Sequence, residues 1–192
     1  SNLDKALDFY QSILGYDIIV TDEEKAFDDW RDLPGGNEKF KRVILQHKEK
    51  YSGAFSRLLG PTTIELVQTI SGNQNKIFKD RYWGDIGFIH ICYDVSGMNK
   101  LEKSCTLASY PFTVNSQNSF GMGKAAGHFA YNEDPDGTLI EYVETHKVPI
   151  LKKIGWYLDL RKRKSIKPLP DWIVKCMGLG KKTLNLKLSL TP

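Results

Sequence analysis

The chain is predicted to be an α+β protein made of two tandem βαβββ modules that form one cupped, mixed sheet, followed by a basic C-terminal extension. Three observations predict it. One order of elements is read twice along residues 1–147. Apolar residues recur at helical spacing in one segment of each half and alternate in the strand-like runs that follow. The sequence Asp134-Pro135-Asp136-Gly137 is a strong turn signal between two such runs.

In the first half, residues 2–14 open with Asn2 as a helix cap, and Leu3, Ala6, Leu7, Tyr10, Ile13 and Leu14 then recur at helical spacing. Gly15 ends that helix. Tyr16 to Val20 is a short apolar strand. A polar, acidic stretch containing Pro34-Gly35-Gly36 reads as a loop. Lys41 to His47 and Thr62 to Thr69 are the next two strands, the second introduced by Gly60-Pro61.

The second half repeats the order with its opening strand in place. Gly87 to Val95 is that strand, and Met98 to Ala108 is the helix. Pro111 to Ser116, Gly127 to Asn132 and Thr138 to Thr145 are strands, the last two joined as a hairpin by the Asp134–Gly137 turn. The first half lacks an opening strand, and its place falls ahead of Ser1. The expectation is that the chain is the C-terminal part of a longer protein, or that another segment fills the place. Lys182 to Leu190 alternates Leu184, Leu186, Leu188 and Leu190 with polar residues, a one-face strand pattern suited to a sheet edge.

Charge divides the chain near Lys147. Residues 148–192 carry eleven Lys and Arg against Asp159 and Asp171, whereas residues 1–147 carry 16 basic and 21 acidic side chains. The basic residues of the extension are interleaved with Trp156, Tyr157, Leu158, Leu160, Leu169, Trp172 and Ile173, which suits elements docked on the body. Arg161 to Lys164 could also greet an anionic substrate, but no nucleic-acid module or Gly-rich phosphate loop accompanies them. No apolar run reaches the roughly 18 to 20 residues of a membrane span. Cys92, Cys105 and Cys176 are too sparse for a disulfide framework or a thiolate zinc site, so a cytoplasmic location is expected.

Three ionisable side chains fall inside strands: Glu65, His90 and Glu141. A polar group there needs a partner. Glu65 and Glu141 hold matching places in the last strands of the two halves, and a pseudo-twofold axis would bring all three to one cleft. One imidazole and two carboxylates form a donor set for Zn, Fe, Ni, Co or Mn. A strand histidine is otherwise a hydrogen-bonded core residue, and the glutamates could pair with Arg or Lys from loops. His128 and Tyr131 lie on opposite faces of one strand, so at most one faces the cleft. Cys92 shares the face of His90. His47, Glu144 and His146 are expected at the surface. Phe120, Met122 and Gly123 fall in a loop that could act as a lid.

Residues 2–146 resemble the vicinal oxygen chelate superfamily, which includes glyoxalase I, epimerases, extradiol dioxygenases and bleomycin-resistance proteins. The resemblance rests on NLDKALDFYQSILGYD, IELVQ, GFIHICYDV and DPDGTLIEYVE, the last being its most specific element. It implies a divalent metal held by Glu65, His90 and Glu141, with a further ligand from the first strand. It implies a small-molecule substrate chelated through two neighbouring oxygens, the metal acting as Lewis acid for an enediolate-type lyase, isomerase or epimerase reaction. Glu65 or Glu141 would move the proton. The superfamily also contains metal-free binding proteins, which is the alternative. A dioxygenase would need a second histidine, and none stands at a matching place. A homodimer is expected to be possible through an unpaired sheet edge.

Overall fold

A computed structural model describes residues 2–49, 52–71, 74–117, 120–122, 125–151, 154–163 and 167–178. The leucine-alternating run at 182–190 and Gly123 lie outside the described residues.

Helix α1 (Leu3–Ser12) starts where Asn2 Oδ1 accepts the Lys5 N–H at 3.0 Å, and it buries Leu3, Ala6, Phe9 and Tyr10. Strands β1 (Ile18–Lys25), β2 (Phe40–Gln46) and β3 (Thr63–Thr69) form an antiparallel three-stranded sheet in that order. The short helix α2 (Ser56–Leu59) stands between β2 and β3. The acidic stretch after Val20, expected as loop, continues β1 through Lys25, because Asp22 to Lys25 face Val43 to Phe40 across the ladder. A register shift between Ile19 and Thr21 accommodates Val20.

The second half forms a six-stranded sheet. Strand β4 (His90–Asp94) leads into helix α3 (Met98–Leu107). Strands β5 (Val114–Asn115), β6 (Phe120–Met122), β7 (Ala125–Glu133) and β8 (Leu139–Leu151) follow. The order is β4-β8-β7-β5, with β6 on β7 and β9 (Trp156–Asp159) on β8. Residues 120–122, expected as a loop and lid, are therefore a strand in ladder with Ala125 to Gly127. The expected single sheet is instead two: among the described residues, β3 and β4 each pair on one side only, so no ladder joins the halves.

What joins them is packing. Alternation along β2 sends Val43 and Leu45 inward, and alternation along β8 does the same for Ile140 and Tyr142. These meet Phe9, Tyr10 and Tyr16 from the first half, and Met98 and Ala130 from the second, in one core. A buried hydrogen bond reinforces the junction: Tyr10 Oη donates to Asp134 Oδ2 at 2.9 Å. The other oxygen of Asp134 accepts the Asp136 and Thr138 N–H groups at 2.9 and 2.8 Å, which closes the hairpin turn. Gly137 there has φ +85°, a conformation that favours glycine.

The described residues after Lys147 dock on the body. Strand β8 continues to Leu151, β9 pairs back along it, and helix α4 (Asp171–Gly178) follows. Leu169 is fully buried, its N–H donating to Ala54 O at 3.0 Å, and Arg57 pairs with Asp171. No helix among the described residues is long and apolar enough to cross a membrane.

Removing the Tyr10 hydroxyl leaves Asp134 with an unpartnered buried oxygen, so Tyr10→Phe should lose roughly 1–3 kcal/mol of stability. Urea unfolding checks this. The midpoint should fall with an unchanged slope, and an unchanged midpoint would mean that the bond does not tie the halves together.

Candidate functional site

Three neighbouring strands of the second sheet bring polar side chains together on the face opposite the core. In the β4/β8 parallel ladder Cys92 stands opposite Glu141, with His90 one pleat away, and in the β7/β8 ladder Tyr131 stands opposite Glu141. Ile140 and Tyr142 point inward, so alternation requires Glu141 to point out of the core. His90 and Cys92 share that face for the same reason, flanking the inward-facing Ile91.

Glu141 is the centre of the group. One carboxylate oxygen, Oε2, lies 3.0 Å from His90 Nε2, and the other, Oε1, accepts the Tyr131 hydroxyl at 2.5 Å. Burial first, and then its bond to Glu141, pushes the Tyr131 hydroxyl well above its ordinary pKa, so it stays protonated and donates. Cys92 lies beside the same carboxylate. Burial and Glu141 push its thiol up to about 12, so it stays protonated too.

Aromatic rings enclose the pair. The indole of Trp83 lies nearly parallel to the His90 imidazole, with centroids 5.7 Å apart and planes at 10°. Tyr131 stands edge-on to both rings, at 5.7 Å from His90 and 5.8 Å from Trp83. Beneath this cover His90 Nδ1 is buried and has no hydrogen-bond partner. An unsatisfied buried acceptor or donor costs about 1–3 kcal/mol, which a ligand could recover.

Glu65 sits at the matching place of the first sheet but is engaged differently. Arg42, from the neighbouring strand β2, donates through Nε to its carboxylate and pairs with Asp29 at 3.4 Å. The Arg42 guanidinium also lies 5.1 Å from the Phe27 ring and 4.9 Å from the Trp30 ring. The cation beside Glu65 thus comes from a strand and is held in an aromatic corner by the residues that follow β1. Among the described residues, no three His, Cys, Asp or Glu side chains gather closely enough to hold a metal ion. Of the three residues expected to converge, the structure brings His90 and Glu141 together and leaves Glu65 paired with Arg42.

The two that meet touch each other directly: His90 Nε2 and Glu141 Oε2 stand 3.0 Å apart, a hydrogen-bond distance. Metal–nitrogen and metal–oxygen bonds to a tetrahedral zinc run about 2.0–2.2 Å, which sets two donors about 3.4 Å apart, so an ion would replace that contact by a small opening of the pair. Tyr131 on the free oxygen is the kind of outer partner that holds a ligating carboxylate in place.

The remaining candidates fall elsewhere. His128 points to the opposite face from Tyr131, buried, with Nε2 2.6 Å from Asn115 Oδ1, and burial lowers its pKa. His146 and Glu144, expected at the surface, are a half-buried to buried pair at 3.2 Å, and Glu144 also accepts the Gly97 N–H at the start of α3. They are covered because β8 runs on past Thr145 and β9 lies alongside. His47, also expected at the surface, packs on Tyr16 with ring centroids 4.1 Å apart and is 2.8 Å from Gly15 O. It lines a hollow of about 910 Å³ between the open edges of β3 and β4, together with Tyr16, Thr62, Ile64, Cys92 and Tyr93. That hollow meets the His90–Glu141 group at Cys92. Trp83 escaped the sequence reading because the stretch between the halves has no periodicity; its Trp-Gly-Asp turn was the available signal.

No protein-family model and no curated protein matches the chain. Among solved structures, a glyoxalase family protein from Bacillus cereus is similar over 76% of this chain and 87% of its own, with 12% identity and TM-score 0.56. A glyoxalase family protein from Enterococcus faecalis is similar over 74% of this chain and 89% of its own, with 15% identity and TM-score 0.46. For a lactoylglutathione lyase from Agrobacterium tumefaciens the coverages are 74% and 85%, the identity 16% and the TM-score 0.40. The Bacillus overlay shows that the chain shares the mixed α+β fold of that glyoxalase family protein.

Desolvation first, and then Glu141, push the Cys92 thiol above its ordinary range. In Glu141→Gln the thiol pKa should fall, and alkylation of Cys92 by iodoacetamide at pH 8 should speed up several-fold. Peptide mass spectrometry measures the rate; an unchanged rate would show that Glu141 does not control the thiol.

Proposed function

We propose that this chain carries a glyoxalase-like site that binds a divalent metal and acts as a lyase, isomerase or epimerase on a small molecule with two neighbouring oxygens. The observation that carries the reading is the His90–Glu141 pair, with donor atoms 3.0 Å apart. His90 Nε2 and Glu141 Oε2 would hold the ion. Glu65, at the matching place of the other half, is the third donor proposed from this chain; it is held by Arg42 and is not gathered with His90 and Glu141, so joining them would need that pair broken and the carboxylate moved toward the ion.

When bound, such an ion supplies Lewis-acid polarisation of the substrate's neighbouring oxygens. The rest falls to the protein. Tyr131 keeps one Glu141 oxygen fixed, so the carboxylate presents the other in a single direction. Cys92, protonated, adds no negative charge to the site. The proton that leaves the carbon beside the polarised oxygen passes to a carboxylate, Glu65 or Glu141. Trp83 and Tyr131 limit water around the pair, which strengthens each charge interaction there.

A second reading, a metal-free binding or sequestering protein of the same fold, draws support from the Arg42–Glu65 pair. Arg42 already neutralises the carboxylate that the metal would need, and the aromatic corner holds it in place.

Elemental analysis of the purified and the reconstituted protein separates the two. The metalloenzyme reading expects near-stoichiometric metal in the wild type, a loss of about tenfold or more in affinity in His90→Ala and Glu141→Gln, and a smaller loss in Glu65→Gln. Absence of metal from all four proteins after reconstitution leaves the binding protein.

A further inference from the structure

The open edges of β3 and β4 border one hollow. Among the described residues, β3 pairs only with β2, and β4 only with β8. The hollow, of about 910 Å³, follows β4 from Ile91 to Val95 and meets the first half at Thr62 to Ile64. Ile13, Leu14, Ile64, Ile91, Tyr93 and Leu101 on its walls pack against the core, yet they stay only partly buried. A strand edge carries backbone N–H and C=O groups without a ladder partner, and proteins cover such edges. One extended segment laid in the hollow supplies ladder bonds to an edge and sets alternate side chains over the half-buried apolar walls.

The neighbouring strands dictate the two faces of that segment. Ile64, Ile91 and Tyr93 stand on the core side, and alternation puts Glu65, His90 and Cys92 on the other. The occupant therefore needs an apolar residue at every second position and polar residues between. Residues 183–190 have that pattern, with Leu184, Leu186, Leu188 and Leu190 separated by Asn185, Lys187 and Ser189. Their length suits edges of seven residues in β3 and five in β4.

The chain also arrives on the right side of the molecule. Leu169 N–H donates to Ala54 O at 3.0 Å, and Arg57 of α2 pairs with Asp171 at the start of α4. Ser56 and Leu59, on that same α2, line the hollow. Helix α4 then carries the chain about 12 Å to Gly178. Four further residues, 179–182, reach about 13 Å when extended, which is enough to return to α2.

We propose that the hollow is a strand-receiving groove and that residues 183–190 of the same chain fill it, bridging the three-stranded and six-stranded sheets. The four leucines close over the apolar wall. Asn185, Lys187 and Ser189 join the face that carries His90, Cys92 and Glu141, so the C-terminal run forms one wall of the candidate site and brings a cation to it. Neither metal nor substrate is needed for this docking.

Hydrogen exchange on the full chain, read by mass spectrometry at residues 63–66 and 91–95, tests it. In the wild type, amides on the open sides of both strands should exchange at least tenfold more slowly than unpaired amides, at every protein concentration. Leu186→Pro removes a ladder N–H and a leucine. It should speed exchange at both strands about tenfold while β2 stays unchanged. A synthetic peptide of residues 182–190 should restore the slow rate, and a peptide of the same composition with its leucines in one block should not. Unpaired-amide rates in the wild type, or rates that Leu186→Pro leaves unmoved, overturn the proposal. Slow exchange that disappears on dilution gives the groove to a second copy, and equal rescue by the blocked peptide shows apolar contact without a strand; each overturns it too. A second variant does not depend on how proline is tolerated: Lys187→p-benzoylphenylalanine should photo-cross-link within one chain to β3 or β4. Cross-links to neither strand overturn the docking.

Discussion

The site depends on the parallel register of β4 on β8. That ladder sets Cys92 opposite Glu141 and His90 one pleat away, while the antiparallel ladder on the other side of β8 sets Tyr131 opposite the same carboxylate. A slip of one residue would turn Glu141 toward Phe9 and Tyr142's core and bring Ile140 or Tyr142 out. The inward anchoring of Ile140 and Tyr142, both fully buried, resists that slip. Packing energy thus fixes where a charged group stands, and the charged group then orders three neighbours around itself.

The first sheet shows the same geometry put to another use. Glu65 has the position of Glu141, yet its neighbour across the ladder is Ile44, and the diagonal place holds Arg42. Arg42 reaches Glu65 through Nε and Asp29 through Nη1, so one guanidinium bridges two carboxylates. The rings of Phe27 and Trp30 beside it add cation–π contacts that help to position it. Two modules with one pattern therefore place one carboxylate beside a histidine and a tyrosine and the other beside an arginine.

Much of the fold was legible because it follows from periodicity. Helices α1 and α3, strands β2 and β3, the start of β8 and the Asp134 turn fall within a few residues of their sequence assignments, while β8 runs six residues past its expected end. Alternation also told correctly that only one of His128 and Tyr131 would face the site. The failures share a cause, since they are contacts between distant segments. Thr21 to Lys25 read as loop because acidic residues dominate, but ladder partners on β2 make them strand. His146 looked exposed and is buried, covered where β9 extends the sheet beside β8. The pairing of Glu65 with a cation stood as an alternative, but its partner Arg42 comes from a neighbouring strand and not from a loop. Trp83 was missed because it reaches His90 from a stretch with no regular structure.

The central claim is that His90 and Glu141 hold a metal in a site that leaves Cys92 protonated and unbound. X-ray absorption at the zinc edge of the Zn²⁺-reconstituted protein tests it most directly. The account predicts a shell of nitrogen and oxygen at about 2.0–2.2 Å with the outer-shell signature of one imidazole, which disappears in His90→Ala. A sulfur contribution at about 2.3 Å, or a shell without imidazole that is unchanged in His90→Ala, would contradict it.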